Sequence, residues 1–157
     1  MELENQIPND LSDLRYKIRN SMNGANKVML GKFILLQRLG GGNYGDVYLG
    51  VHSENQKNFA IKIIDKKALF DKNGDPYVRE VLTRLLKSEG ILMQMCDSPH
   101  VIKCYDIVEN NKYKIFVLEY CNRGTLHDEL KKKKAYPVND ALAILKQIIL
   151  GLSVIFI

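Results

Sequence analysis

Glycines at Gly40, Gly41, Gly42 and Gly45, enclosing Asn43 and Tyr44, are the densest chemical signal in the sequence. Glycines so spaced let backbone N–H groups approach phosphate oxygens, because no Cβ intervenes and φ can turn positive. The spacing alone leaves three readings open. One is a phosphate cradle joining two strands. Another is a dinucleotide site, with Gly45 opening a helix and Asp65, about 20 residues on, holding a ribose. The third is a glycine hairpin with no ligand. Val47-Tyr48-Leu49-Gly50-Val51, β-branched and aromatic, reads as a strand and a poor helix start.

Two charges stand in awkward places. Lys62 falls in the strand-like run Phe59 to Ile64, on the face shared by Ala60 and Ile64, where an ammonium without a counter-charge is costly. Glu89 falls within the apolar stripe of a helix marked by Val78, Val81, Leu82, Leu85, Leu86, Leu92 and Met93. If that helix packs on the sheet, one contact accommodates both charges. The alternative is that each reaches water along its stem at the margin of the fold.

The elements that must position these groups follow from periodicity and turn residues. Strands are predicted at Phe33–Leu36, Val47–Val51 and Phe59–Ile64, an antiparallel meander. A loop through Asn73-Gly74-Asp75-Pro76 leads to the helix, which ends near Cys96-Asp97-Ser98-Pro99. Val101–Val108 and Tyr113–Tyr120 form a hairpin around Glu109-Asn110-Asn111-Lys112. A short helix opens at Thr125-Leu126, and another, with Asn139 as its N-cap, runs to the end. The result is an α+β fold with a five-stranded antiparallel sheet, one packed helix, and two helices after it. Residues 11–22 have the composition of a short helix within an otherwise polar extension.

Leu39-Gly-Gly-Gly-Asn-Tyr-Gly-Asp-Val47, Phe59-Ala-Ile-Lys62, Glu89 and Val117-Leu-Glu-Tyr-Cys121 together resemble the small lobe of a eukaryotic-type protein kinase, over about residues 33 to 155. The resemblance implies an N-terminal extension over 1–31, an ATP-binding small lobe and hinge over 32–121, and the beginning of a mostly helical large lobe over 122–157. It implies that Gly40 to Gly45, with Asn43 and Tyr44 at the tip, cover the ATP phosphates, that Leu39 and Asp46 beside them belong to the nucleotide site, and that Val47 and Ala60 pack on adenine. Lys62, paired to Glu89, takes the α- and β-phosphates. Leu118 is then the gatekeeper, and Glu119 and Cys121 offer backbone groups to the adenine edge. The family reaction is transfer of the γ-phosphoryl group to a protein hydroxyl, serine or threonine by preference over tyrosine.

The family's base and magnesium ligands come from His-Arg-Asp and Asp-Phe-Gly motifs, and neither tripeptide occurs in these 157 residues. The chain alone is therefore expected to hold ATP but to transfer phosphate negligibly. Apolar residues of the last helix, normally covered by the large lobe, are expected to be exposed and open to a protein partner. A non-catalytic, kinase-derived interaction module is the rival reading.

Composition excludes several classes. The chain is 46% hydrophobic and 26% charged, an ordinary globular balance. Cys96, Cys104 and Cys121 form no CxxC pair, and His52, His100 and His127 are scattered, so neither a disulfide framework nor a metal site is expected. A net charge of +5 does not single out nucleic acid, and the Lys131–Lys134 run reads as a solvated helix end. MELENQIPND is not a signal peptide, and the apolar tail from Ile148 to Ile157 is too short to span a bilayer. The expected setting is cytoplasmic, without membrane or nucleic-acid contact.

Overall fold

A computed structural model describes residues 16–18, 28–42, 45–71 and 74–155. The chain runs β1 (Val28–Leu30), β2 (Phe33–Gly42), β3 (Gly45–His52), β4 (Asn58–Asp65), α1 (Lys66–Asp71), α2 (Pro76–Met95), β5 (Cys104–Glu109), β6 (Tyr113–Glu119), α3 (Leu126–Lys133) and α4 (Val138–Ile155). The strands form one antiparallel sheet in the order β1-β2-β3-β4-β6-β5. An antiparallel sheet with helices is the arrangement that the kinase resemblance implies.

Among the described residues the sheet has six strands, not the five expected. The added strand, β1, lies in what the sequence reading assigned to the extension. Val28 and Leu30 are buried and pair with Leu35 and Phe33 across a two-residue Gly31-Lys32 turn, with Gly31 at φ 55°. A glycine-containing two-residue link between apolar runs is a hairpin signature. Of the helix allowed for residues 11–22, residues 16–18 are helical and Ile18 is buried in the core, while the rest lies outside the described residues.

Period-2 alternation gives the sheet two apolar faces. The outer face carries Leu30, Phe33, Leu35, Tyr48, Ile61, Ile63, Ile115 and Val117. Phe33, Phe59 and Tyr105 cross it edge to face, with ring centroids 5.3 Å apart at each step. The inner face carries Ala60, Ile64, Phe116 and Leu118, covered by Leu69 of α1 and by Leu82, Leu86 and Met93 of α2. Because β6 is covered on both faces, every residue from Tyr113 to Leu118 is buried.

Helix α1 lies between β4 and α2, where the sequence pattern predicts no element. Asp65 caps it by accepting a hydrogen bond from Ala68 N at 2.9 Å. Asp75 caps α2 by accepting from Tyr77 N at 2.8 Å, and Pro76 occupies the first turn, where a missing N–H costs nothing. The stripe of α2 that meets the sheet is narrower than predicted. Val81, Leu85 and Leu92 remain exposed, because one helix touches a sheet along a single ridge and these residues lie around its shoulder. Strand β5 starts at Cys104, later than Val101, because residues 98–101 turn, with Val101 N donating to Ser98 O at 3.2 Å.

Thr125 caps α3 by accepting from Asp128 N at 3.1 Å. Asn139 is not the cap of α4. The helix begins at Val138, and Ala141 N donates to Pro137 O at 3.0 Å, which leaves Asn139 inside the first turn. With its start at Val138, α4 has the length and composition of a membrane-crossing helix, which the tail from Ile148 alone does not. Its single buried residue, Gly151, rests against the backbone of His100.

Candidate functional site

Strand β4 and helix α2 bring Lys62 and Glu89 together. Lys62 Nζ donates to Glu89 Oε1 at 2.6 Å, and the two side chains retain 28% and 38% of their exposure. The pair therefore sits at the rim of the inner face, satisfied by contact and open to solvent together. Lys62 Nζ also stands 5.3 Å from the centroid of the Phe116 ring, on the strand position directly opposite.

A cleft of about 360 Å³ opens beside this pair, lined by Leu39, Gly40, Gly41, Gly42, Gly45, Val47 and Lys62. Val47 lies opposite Lys62 in the β3–β4 ladder, and Ala60 lies opposite Leu118 in the β4–β6 ladder. Lys62, Ala60 and Leu118 thus share one sheet face, with Ala60 and Leu118 buried in the inner cluster. Glu119 ends β6. Its amide donates to Lys103 O at 2.9 Å, and its carboxylate accepts from Lys103 N at 3.3 Å. Cys121 follows as an exposed free thiol. Asn43 and Tyr44 lie outside the described residues.

Asp46 does not line the cleft. It alternates with Val47 and is buried on the outer face, accepting from Arg38 Nε at 2.9 Å and from the Tyr48 hydroxyl at 3.3 Å, with Arg38 Nη2 at 2.8 Å. The two-point Arg38–Asp46 contact joins β2 to β3 at the base of the glycine hairpin. Asp46→Ala is expected to destabilise the chain by about 1–3 kcal/mol in urea unfolding, through loss of charge-assisted hydrogen bonds. The effect stays at this level because Arg38 is half exposed and is rehydrated.

The dinucleotide reading is overturned here. Gly45 opens strand β3 rather than a helix, and Asp65 is occupied as the cap of α1.

Lys114 escaped the sequence reading, although a lysine at period 2 with Phe116 and Leu118 in an apolar strand was the available signal. It is 4% exposed. Its Nζ donates to Leu86 O of α2 at 2.8 Å and lies 3.4 Å from Glu109 Oε2. Glu109 also meets Lys66 at 2.5 Å. Burial opposes ionisation of Glu109, but the Lys66 hydrogen bond and the charges of Lys114 and Lys66 outweigh it and hold its carboxyl below the ordinary range. What it adds to stability is accordingly complete above its unfolded-state pKa and lost as the pH falls through the lowered value. Burial pushes the Cys104 thiol up, as befits a thiol packed among apolar residues.

The geometry can hold an anion: a cation fixed by a carboxylate, beside a cleft lined by Gly40, Gly41, Gly42 and Gly45, whose backbone carries no side chains. Comparison with known proteins gives this arrangement its context. Residues 33–157 match the family model described as the protein kinase domain. The chain is 37% identical over 124 residues to a probable serine/threonine-protein kinase of Dictyostelium discoideum, covering 79% of this chain and 14% of that protein. It is 33% identical over 116 residues to calcium-dependent protein kinase 5 of Plasmodium berghei, covering 74% and 19%. A probable serine/threonine-protein kinase of Saccharomyces cerevisiae is 31% identical over 125 residues, covering 79% and 12%. The chain thus spans less than a fifth of the length of these relatives. Because the match runs from β2 through α4 and takes in the glycine hairpin, Lys62 and Glu89, the chain belongs to the protein kinase family.

Proposed function

We propose that this chain is the ATP-binding portion of a serine/threonine-type protein kinase, whose reaction is transfer of the γ-phosphoryl group of ATP to a protein hydroxyl. The observation that carries the reading is the 2.6 Å Lys62–Glu89 contact beside the glycine-lined cleft. Lys62 serves the α- and β-phosphates, Glu89 holds its ammonium in place, and the hairpin from Leu39 to Gly45 closes over them. Ideal Cβ positions at Gly40 and Gly42 meet nothing within 4 Å, which leaves their backbone open to phosphate oxygens. Val47 and Ala60 contact adenine below Leu118, and Glu119, whose amide is taken by Lys103, contributes its carbonyl alongside Cys121.

ATP fits these residues. The motifs that hold magnesium in the family, Asp-Phe-Gly and the catalytic-loop Asn, do not occur in these residues, and Glu89 beside the cleft is engaged by Lys62. Because the family's base and magnesium ligands come from motifs these residues do not contain, the chain alone holds nucleotide and transfers phosphate negligibly. A radiometric assay on the purified chain with a generic protein substrate is expected to give background incorporation, and robust turnover would contradict this.

ATP titrated into a thermal melt tests the binding. The midpoint rises with concentration, by the equivalent of about 2.7 kcal/mol at a hundredfold excess over Kd, whereas adenosine, lacking phosphates, gives a smaller rise at the same concentration. A midpoint indifferent to ATP at millimolar concentration sinks the reading. It would favour the second one, an interaction module using α4, where Leu142, Leu145, Ile148, Ile149 and Leu152 are all exposed.

A further inference from the structure

We propose that Lys114 is a positioning residue: its buried ammonium tethers α2 to the sheet and thereby sets the Lys62–Glu89 contact. Among the described residues, two polar links join α2 to the sheet, the Lys62–Glu89 pair at 2.6 Å and the Lys114 Nζ to Leu86 O hydrogen bond at 2.8 Å. Leu86 precedes Glu89 by less than one helical turn, so fixing the Leu86 carbonyl fixes where Glu89 emerges. The apolar grip on the helix is slight. Gly90 is its one buried residue, and Leu82, Leu86 and Met93 are only partly covered.

The two lysines are coupled through the sheet. Phe116 faces Lys62 and Lys114 faces Ile64 across the β4–β6 ladder, so both ammonium groups rise from the same face of adjacent strands. Their Nζ atoms stand 5.3 Å and 5.4 Å from the centroid of the same Phe116 ring. Gly90 makes the tether possible. A Cβ there would lie 3.3 Å from Lys114 Nζ and 3.0 Å from Ile107 Cδ1, so the helix carries a glycine in its interior despite a cost of about 1 kcal/mol relative to alanine.

Packing alone does not account for a lysine at this position. Methionine keeps the length and apolar stem among Leu86, Ile107 and Phe116. It leaves the Leu86 carbonyl its bond within the helix and leaves Glu109 its bond to Lys66, so no buried group loses its last partner. Replacing such a buried charge by an apolar residue of similar volume is often neutral or stabilising. A merely structural Lys114 therefore predicts an unaltered or higher melting point and an unaltered α2.

The test is amide hydrogen exchange across residues 82–93 in the unsubstituted chain and in Lys114→Met, with melting of both. The tether predicts exchange in α2 faster by about tenfold with the melting midpoint held or raised; unchanged exchange overturns it. Gly90→Ala approaches from the helix side and stands in if the Met variant does not fold. It too speeds exchange although alanine favours helix, and slower exchange overturns the proposal.

A second arm rests on the ATP reading. Lys114→Met weakens ATP binding by about threefold to tenfold, and adds nothing once Glu89→Gln is present, because it acts through Glu89. Equal weakening in both backgrounds marks a direct effect of the Lys114 charge on nucleotide and overturns the positioning role. If the unsubstituted chain binds no ATP, it is the nucleotide reading that fails, and exchange still decides the tether.

Discussion

Lys62→Met is expected to lower the affinity of the chain for ATP by about tenfold to a hundredfold in titration calorimetry, if the proposed site is the one that holds it. The figure follows from the chemistry at the rim of the cleft. A hydrogen bond to a charged group contributes about 1.5–3 kcal/mol, and each 1.4 kcal/mol is a factor of ten. Removing the ammonium also leaves the Glu89 carboxylate unpaired at the edge of the proposed phosphate site, which adds repulsion to the lost attraction. Lys62→Met/Glu89→Gln should therefore recover part of the affinity, since it removes the repulsion without restoring the bond. Fold stability moves little, because both side chains are partly exposed and an unpaired Glu89 is hydrated. Equal ATP affinity in Lys62→Met and the unsubstituted chain would take Lys62 out of the phosphate site altogether.

The Lys62–Glu89 pair was legible in the sequence because two charges stood where apolar periodicity left no room for them, and a helix lying on a sheet has few ways to answer both. The meander β2–β3–β4 and the β5–β6 hairpin were legible for a related reason: β-branched runs between polar turns have one economical pairing. Strand β1 was missed because three residues carry too little alternation to stand out, and its identity depends on pairing with Phe33 to Leu35. Helix α1 is a single capped segment of six residues, held by Leu69 against the sheet rather than by any period of its own. Lys114 shows a different limit. Its role depends on which helix carbonyl comes within reach of its Nζ, and that distance is set by the docking of α2, which no local pattern states. The placement of Asp46 followed the motif it sits in, whereas strand alternation turns its side chain to the other face from Val47.

The same hairpin separates the needs of folding from those of binding. Gly45→Ala is expected to destabilise the chain by about 2–4 kcal/mol, the range for a strained backbone combined with a buried clash. Gly45 has φ +154°, and an added Cβ would lie 2.2 Å from Ile63 O and 3.1 Å from Ile64 Cα. Those are main-chain atoms of the next strand, so no side chain can swing away. The start of β3 must lift from β4, giving up the Asp46–Ile63 pairing and moving Val47 relative to Lys62. For a chain of this size the melting midpoint drops by roughly 5–15 °C. Gly40→Ala is the opposite case. Its Cβ meets nothing within 4 Å, so stability is expected to stay within about 0.5 kcal/mol while ATP binding weakens, because the new methyl group occupies space that the proposed site leaves to phosphate. Urea unfolding and ATP calorimetry on the two variants read these effects apart. A Gly40→Ala chain with unchanged ATP affinity would show that the hairpin does not close on phosphate, and a Gly45→Ala chain of unchanged stability would show that β3 does not lie against β4 as described.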